Sequence, residues 1–189
     1  MTDTIAILCA ANRSVYHSME NVEVYDMARD ARTFGGDMPI VAHPPCRAWS
    51  VRVKHQAKPA PGEKELGLWC CEQLKACGGV LEQPAFSELF AAGGLPRPGD
   101  TGRGGLWSMQ IWQAWFGYPM KKNTWLCFAG IPPREVPDIP FRLHPRGRDR
   151  RAEQLMSKHQ RSATTREFAE WLVSCARIAA NRLRQEVLF

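Results

Sequence analysis

Short apolar runs separated by polar turns recur along the chain and predict a series of buried strands. The runs are too short for amphipathic helices and are bounded by Gly, Pro, Asn or Asp. One of them, 22–25, also alternates apolar and polar residues. The predicted strands cover residues 4–10, 22–25, 40–42, 80–81 and 125–129.

Segments with helical spacing separate these runs. The longest begins near residue 62 and ends at Gly78, where glycine favours helix termination. Residues 15–19 and the Trp-rich segment 106–115 are also predicted to be helical. A capping box formed by Thr164 and Glu167 predicts the start of a last helix. The expected buried positions of the two long helices are Leu66, Cys70, Leu74 and Cys77, and Phe168, Leu172, Cys175, Ala179 and Leu183.

Strands that alternate with helices indicate an α/β protein with one open, mainly parallel sheet flanked by helices. We expect a single domain over residues 1–185, with an Arg/Pro-rich insert at about 131–160 and a glycine-rich loop at 91–105. The last four residues, 186–189, resemble most of a protease recognition sequence left after expression.

The composition of the 189 residues is typical of a soluble globular domain. No apolar run approaches the roughly 18 residues of a membrane span, and the first residues lack a signal-peptide pattern. The seven cysteines are an odd number, which favours reduced thiols in the cytoplasm. Cys70, Cys71 and Cys77 lack the paired spacing of a zinc site, so no metal is expected.

The net charge of +6 is concentrated in one part of the chain. Residues 132–166 contain nine Lys or Arg and four acidic residues, which leaves +5 of the +6 there. Such a block favours a phosphate-rich partner, although a solvated loop would look the same. The candidate phosphate contacts are Arg146, Arg148, Arg150 and Arg151.

Two predicted strand ends carry reactive groups. Pro44 and Pro45 stiffen the loop that follows residues 40–42 and lead to Cys46, while Glu82 follows the strand 80–81. One loop and one helix separate the two strands, so they should be parallel, adjacent and end at the same sheet edge. A thiol beside a carboxylic acid suits covalent addition to an electron-poor ring. The alternative is a rigid turn that holds an inert, buried thiol.

Four segments in order resemble the DNA cytosine-C5 methyltransferases. They are similar to that family's Pro-Pro-Cys loop, its Glu-Asn-Val strand end, its Tyr-Gly-Val-Pro-Gln-x-Arg-x-Arg segment and its Arg-x-Leu-Thr-x-Arg-Glu helix start. Gln83, Pro84, Met120, Lys122 and Thr124 depart from the family pattern. The segments are 44–50, 80–84, 116–130 and 161–169, which makes the chain resemble a minimal, divergent, phage-type member.

The resemblance implies a truncated Rossmann-like methyltransferase fold and a mechanism. Cys46 would attack C6 of a flipped-out cytosine in DNA, Glu82 would bond N3, and C5 would take a methyl group from S-adenosylmethionine. Lys122 would act in part as the family's first arginine. The residues implied for the cofactor are Asn12, Arg13, Ser14, Asp26, Asp30 and Pro44, and those implied for DNA are Arg47 and Ser50.

Other features keep alternatives open. No glycine precedes Gly35, whereas the family's cofactor loop contains glycines, and only about thirty residues separate Gly130 from Arg161, where the family inserts a target-recognition domain. Asp26 is equally well explained as a turn or cap residue. A DNA-binding protein of the same fold without a cofactor site, or a different base-modifying enzyme that uses Cys46, is consistent with the same residues. The DNA could be double- or single-stranded.

Overall fold

The computed structural model describes residues 4–51, 58–142, 156–157, 160 and 163–187, with the side chains of 183–187 excepted. Within these residues six strands form one sheet in the order β2-β1-β3-β4-β6-β5. The strands are β1 (Ile5–Leu8), β2 (Val22–Val24), β3 (Ile40–Ala42), β4 (Gly79–Pro84), β5 (Trp107–Trp112) and β6 (Asn123–Ala129).

The α/β class is confirmed, but the sheet is mixed rather than mainly parallel. Strands β2, β1, β3 and β4 are mutually parallel, whereas β6 is antiparallel to both β4 and β5. The ten-residue connection between Trp112 and Asn123 contains one 3₁₀ turn, Gln113–Phe116. It is shorter than the dozen or more residues that a parallel crossover needs, so β5 and β6 pair as a hairpin.

The prediction of a helix over residues 106–115 is wrong, because most of this segment is strand β5. Trp107, Met109 and Ile111 point to one side and belong to or pack against the same apolar core. Their spacing of two residues is that of a strand. The apolar residues that break this alternation, Trp112 and Trp115, mimic a helical pattern.

Two long helices cover opposite faces of the sheet and create two cores. Helix α1 (Glu63–Cys77) packs its buried Cys70 and Leu74 against the face that contains Leu81. The last helix, α3 (Arg166–Val187), lies on the other face, where Phe168 and Leu172 join a core with Ile7, Val80 and Phe128. The predicted buried positions of both helices are confirmed where the structure describes their side chains, although Leu66 is only partly buried.

Helix α3 begins one residue later than the predicted capping box. The Thr165 hydroxyl accepts a hydrogen bond from the Phe168 amide at 3.3 Å, and the Thr165 carbonyl accepts one from the Ala169 amide. Thr165 is therefore the N-cap, and Glu167 pairs with Arg142 at 3.0 Å instead of closing a box with Thr164.

The predicted glycine-rich loop is mainly irregular. It overlaps the short helix α2 (Leu89–Ala92) and contains a 3₁₀ turn at Arg103–Gly105. Of the Arg/Pro-rich insert, residues 131–142 are described and contain a 3₁₀ turn at Pro133–Glu135. Arg146, Arg148, Arg150 and Arg151 lie outside the described residues.

Among the helices of the described residues, none combines the length and the apolar character that crossing a membrane requires.

Candidate active site

The carboxyl ends of the parallel strands bring the candidate site together. Strand β1 lies between β2 and β3, so the chain passes from β1 to β2 on one side of β1 and then from β2 to β3 on the other side. Ligands of open α/β sheets bind outside such a switch point. The loop after β1 contains Asn12 and Ser14, and the loop after β3 contains Cys46.

The predicted pairing of the two reactive strand ends is confirmed at the level of the backbone. Strands β3 and β4 are adjacent and parallel, with Ala42 beside Leu81. The next residues along each strand are His43 and Glu82, and His43 Nδ1 lies 3.2 Å from Glu82 Oε2.

The Glu82 carboxylate is held from two sides and is only 12% exposed. His43 contacts Oε2, and the side-chain amide of Gln113 donates to Oε1 at 3.1 Å. The same Gln113 nitrogen also donates to the Thr124 hydroxyl at 3.0 Å, which fixes the amide orientation. The carboxylate is therefore fixed before any substrate binds.

Several groups act on the ionisation of Glu82. Burial raises the pKa of its carboxyl, but the hydrogen bond from His43, the charge of Lys122 and a hydrogen bond from Thr124 outweigh burial and lower the pKa overall. Glu82 is therefore a carboxylate at neutral pH and can accept a proton.

The buried Tyr16 contacts the second ring nitrogen of His43. The Tyr16 hydroxyl lies 2.9 Å from His43 Nε2, and the Tyr16 side chain is 1% exposed. Burial, and then the charge of Glu82, raise the pKa of Tyr16 well above its usual value. The phenol therefore stays protonated.

Backbone hydrogen bonds fold the Pro-Pro-Cys loop into a tight turn. The amides of Trp49 and Ser50 donate to the Cys46 carbonyl at 3.0 and 2.8 Å. The side chain of Gln83 donates to the Pro44 carbonyl, and the Glu88 amide donates to the Trp49 carbonyl at 2.9 Å. These bonds tie the loop to the end of β4 and position Cys46.

Arg47 ties the same loop to helix α1. Its guanidinium pairs with Glu63 in the first turn of α1 through Nε at 3.1 Å and through Nη2. Ser50 is buried at the end of the turn. Both residues thus have structural contacts in the loop, and their predicted contact with DNA remains a prediction.

Cys46 is partly buried and interacts electrostatically with Glu82. Burial and the charge of Glu82 raise the pKa of the Cys46 thiol, and the charges of Lys122 and Arg47 oppose that rise. The resting group is therefore a thiol, which must lose a proton before it can act as a nucleophile.

Lys122 brings a positive charge to this pair. Its ammonium lies 3.5 Å from the Ala163 carbonyl and 5.2 Å from the centre of the Tyr118 ring. The backbone bond from the Gln113 amide to the Lys122 carbonyl links the residue to the end of β5. The positive charge of Lys122 lowers the pKa of both Cys46 and Glu82.

The residues implied for the cofactor fit it in part. Asn12 and Arg13 are exposed and Ser14 is partly buried after β1. Asp26 follows β2, and its Oδ1 accepts the Ala28 and Arg29 amides at 2.8 and 3.1 Å, which lower its pKa. Its Oδ2 lies 3.3 Å from His17, so Asp26 has a turn role and both its oxygens have partners within the protein. Its contact with ribose hydroxyls and the contacts of Arg13 and Ser14 with the cofactor stay predictions.

Two other residues implied for the cofactor also have partners within the protein. Asp30 caps the 3₁₀ turn Ala31–Thr33 by accepting the Arg32 amide at 2.9 Å, and it also pairs with the Arg32 guanidinium. Pro44 is buried, and its carbonyl accepts from Gln83. Their hydrogen-bonding atoms are thus engaged within the protein.

A cleft of about 810 Å³ lies elsewhere, where β4 begins and β6 ends. Gly78, Ala129 and Gly130 contribute to its walls, together with Lys75 and Arg103. The cleft lies at the opposite end of the strands from the loop that contains Cys46. It is therefore not next to Asn12, one of the residues implied for the cofactor.

Sequence reasoning did not identify four polar residues of the site, which are Tyr16, His43, Gln83 and Gln113. His43 could have been found, because the predicted parallel pairing of the strands places the residue after Ala42 beside Glu82. Tyr16 and Gln113 come from turns whose positions the hydrophobic pattern does not fix.

Comparison of the chain with protein-family models, with curated proteins and with solved structures found no match in any of the three. Function is therefore inferred from the residues and geometry of this chain.

Proposed function

We propose that the chain is a DNA pyrimidine-C5 methyltransferase-like enzyme that uses Cys46 as nucleophile, Glu82 as acid and S-adenosylmethionine as methyl donor. The observation that carries the proposal is that the loop after β3, which contains Cys46, and the fixed Glu82 carboxylate in β4 belong to adjacent parallel strands. The four segments that resemble the DNA cytosine-C5 methyltransferases support it. We propose that the protein acts in the cytoplasm, in keeping with the free thiols of the described cysteines.

The strand order also supports a truncated Rossmann-like methyltransferase fold. A classic Rossmann sheet has the order 3-2-1-4-5-6. The parallel strands β2-β1-β3-β4 match positions 2-1-4-5 of that order without the outer third strand. In this correspondence Cys46 follows the fourth position and Glu82 ends the fifth.

The first step joins the thiol to the ring. The Cys46 sulfur forms a bond to C6 of a flipped-out cytosine, and its proton passes to the Glu82 carboxylate. The electron pair of the C5–C6 double bond moves toward C5 and the conjugated N3. Glu82 then gives the proton to N3, which leaves a neutral enamine that is nucleophilic at C5.

Lys122 stabilises the negative charge while the proton moves from sulfur to carboxylate to ring. Its single ammonium acts as a point charge and lacks the two-pronged geometry of arginine. The hydrogen bonds of the loop hold Cys46 in place, so little reorganisation is required in this step.

S-adenosylmethionine, when bound, would supply an electrophilic methyl group to C5. Asp26 would accept the ribose hydroxyls, and Arg13 with Ser14 would hold the methionine carboxylate. The C5 proton then passes to water, and the electron pair it leaves re-forms the C5–C6 double bond and expels the Cys46 thiolate. The N3 proton returns through Glu82 to the thiolate, which restores the free enzyme.

The test is transfer of label from methyl-labelled S-adenosylmethionine to duplex DNA, single-stranded DNA and free nucleotides. Products are digested to nucleosides and analysed by mass spectrometry. We expect a labelled 5-methyl pyrimidine with the parent chain. Cys46→Ser and Glu82→Gln should lower its formation at least 100-fold, because each removes a group that takes part in the covalent step.

Cys77→Ser is the matched control, since it makes the same thiol-to-hydroxyl change in α1, near Gly36. It should retain activity. Absence of labelled pyrimidine on every substrate, or equal activity of Cys46→Ser and the parent, would contradict the proposal.

A second candidate function is DNA binding without methylation. It is favoured by the engagement of Asp30 and Pro44 within the protein. Calorimetry with S-adenosylmethionine separates the two functions, because micromolar binding that is lost in Asp26→Ala supports the enzyme. A modified nucleoside of another mass would indicate a different donor.

A further inference from the structure

His43 stands at the centre of a buried hydrogen-bonded chain that connects Tyr16 to Glu82. Its two ring nitrogens face different partners, with Nε2 2.9 Å from the Tyr16 hydroxyl and Nδ1 3.2 Å from Glu82 Oε2. The backbone amide of His43 donates to the Leu8 carbonyl at 2.9 Å, which extends the bonding between β1 and β3 by one residue. The ring is therefore fixed at both ends and at its backbone.

The chemistry of the two partners determines which nitrogen carries the proton in the neutral ring. The ionised Glu82 can only accept a hydrogen bond, so in the neutral ring Nδ1 carries the proton and donates to it. Nε2 is then unprotonated, and the protonated Tyr16 hydroxyl donates to it. The tyrosine thus supports the tautomer that the carboxylate requires.

We infer that His43 is a positioning residue for the proposed reaction, and that its contacts with Tyr16 and Glu82 hold it in the Nδ1–H tautomer, which orients the Glu82 carboxylate. This inference rests on the proposed function for its kinetic consequence. The tautomer of His43 and the titration of Glu82 can be measured without substrate, so these two parts of the inference do not depend on the proposed function.

The groups that face Glu82 come from every surrounding segment. His43 follows β3, Tyr16 lies in the 3₁₀ turn after β1, and Cys46 lies in the loop after β3. Gln113 follows β5, and Lys122 precedes β6 with Thr124 within it. Of these, Lys122 supplies a positive charge that also favours the carboxylate, so removal of the hydrogen bond from His43 should weaken but not abolish the ionisation of Glu82.

Substitutions at His43 separate positioning from structural support. His43→Leu removes the donor to Glu82, whereas the amide nitrogen of His43→Asn takes the place of Nδ1–H. The titration of Glu82 is followed by the carbon-13 signal of its labelled carboxyl, assigned with Glu82→Gln. In His43→Leu the titration midpoint should move to higher pH, and in His43→Asn it should return toward the parent value.

The kinetic readout uses the same variants. We expect His43→Leu to lower kcat roughly ten- to a hundredfold, the effect of losing one hydrogen bond to a charged group, with little change in KM. The acidic limb of the kcat profile should move upward in pH, because the carboxylate must be ionised to accept the thiol proton. His43→Asn should recover most of kcat.

Tyr16→Phe tests the selection of the tautomer. Nitrogen-15 spectra of the parent should show Nδ1 protonated and Nε2 unprotonated, and Tyr16→Phe should populate both tautomers. Tyr25→Phe is the control, since it also removes a buried tyrosine hydroxyl, one that bonds to Glu23.

The outcomes distinguish the inference from the function. An unchanged Glu82 titration in His43→Leu, or a protonated Nε2 in the neutral parent, would overturn the inference even if the enzyme is active. The expected titration and tautomer in a chain that methylates nothing would uphold the arrangement and refute only the proposed function.

Discussion

At the scale of single residues, burial sets the chemistry of the thiols. Cys70, Cys71, Cys77, Cys127 and Cys175 are buried and carry free thiols. Burial raises the pKa of Cys71 to about 12 and that of Cys127 to about 11. These thiols are inert in the folded protein, whereas Cys46 is partly exposed and has a proton acceptor nearby.

The raised thiol pKa values predict a loss of stability in alkali. An unfolded thiol ionises near pH 8.5 but the folded Cys127 does not, so its contribution to folding is full below pH 8.5 and is lost as the pH rises toward 11. The free energy of unfolding of the parent should decrease between pH 7.5 and 10. In Cys127→Ala this decrease should be smaller by about 1–2 kcal/mol. Urea unfolding under reducing conditions measures both values.

Val80→Ala is the control for that experiment, because it also creates a cavity in a buried strand without removing a titrating group. It should keep the pH dependence of the parent. Identical pH dependence in Cys127→Ala and the parent would show that this thiol contributes nothing.

The sequence was sufficient to place Cys46 and Glu82 on adjacent strand ends, because two proline-bounded apolar runs joined by one helix leave little topological choice. It did not predict His43 or Tyr16 as partners of Glu82. Their contacts depend on side-chain direction at the end of a strand and on a short 3₁₀ turn, neither of which follows from hydrophobic spacing.

At the scale of elements, helix α3 is fixed at its start by one hydroxyl. Thr165 caps the helix and also donates to the Phe116 carbonyl at 2.9 Å, which ties α3 to the turn after β5. The sequence predicted the helix and its buried face correctly but assigned the cap to Thr164. Two successive threonines satisfy the same pattern, and only the contact with Phe116 distinguishes them.

Substitution of Thr165 should therefore lower the free energy of unfolding, whereas substitution of Thr164 should not. We expect Thr165→Ala to lower the free energy of unfolding by about 1–2 kcal/mol, since it leaves the Phe168 amide and the Phe116 carbonyl without this partner. Thr164→Ala should change it by less than about 0.5 kcal/mol. Urea denaturation of both variants decides, and a larger effect at Thr164 would contradict the assignment.

The hairpin of β5 and β6 shows the limit of periodicity at this scale. Residues 107–111 alternate as a strand does, but three tryptophans within nine residues also suggested a helix face. The antiparallel pairing of β5 with β6 followed from a connection too short for a crossover, and it is the reason that the sheet is mixed.

At the scale of the whole molecule, positive charge is distributed unevenly along the chain. Residues 132–166, which include most of the Arg/Pro-rich insert and lead from β6 to the first residue of α3, hold +5 of the net charge of +6. In the proposed function this segment takes the place of a recognition domain and would contact phosphates rather than bases.

Replacement of Arg146, Arg148, Arg150 and Arg151 by Gln should weaken DNA binding and flatten its salt dependence. Each lost phosphate contact should reduce the slope of log K against log salt by about 0.9 on duplex DNA. Fluorescence anisotropy at several salt concentrations measures the slope. The control replaces four other cations, Lys75, Arg97, Arg103 and Arg177, and the prediction fails if both sets change the slope equally.

Helix α3 also has a consequence for the synthesis of the protein. It is the last element of the described chain, yet Phe168 and Leu172 cover the face that contains Ile7 and Val80. While the ribosome still holds α3, all six strands have emerged with that apolar face uncovered. The nascent chain therefore exposes this apolar face until α3 leaves the ribosome and packs on it.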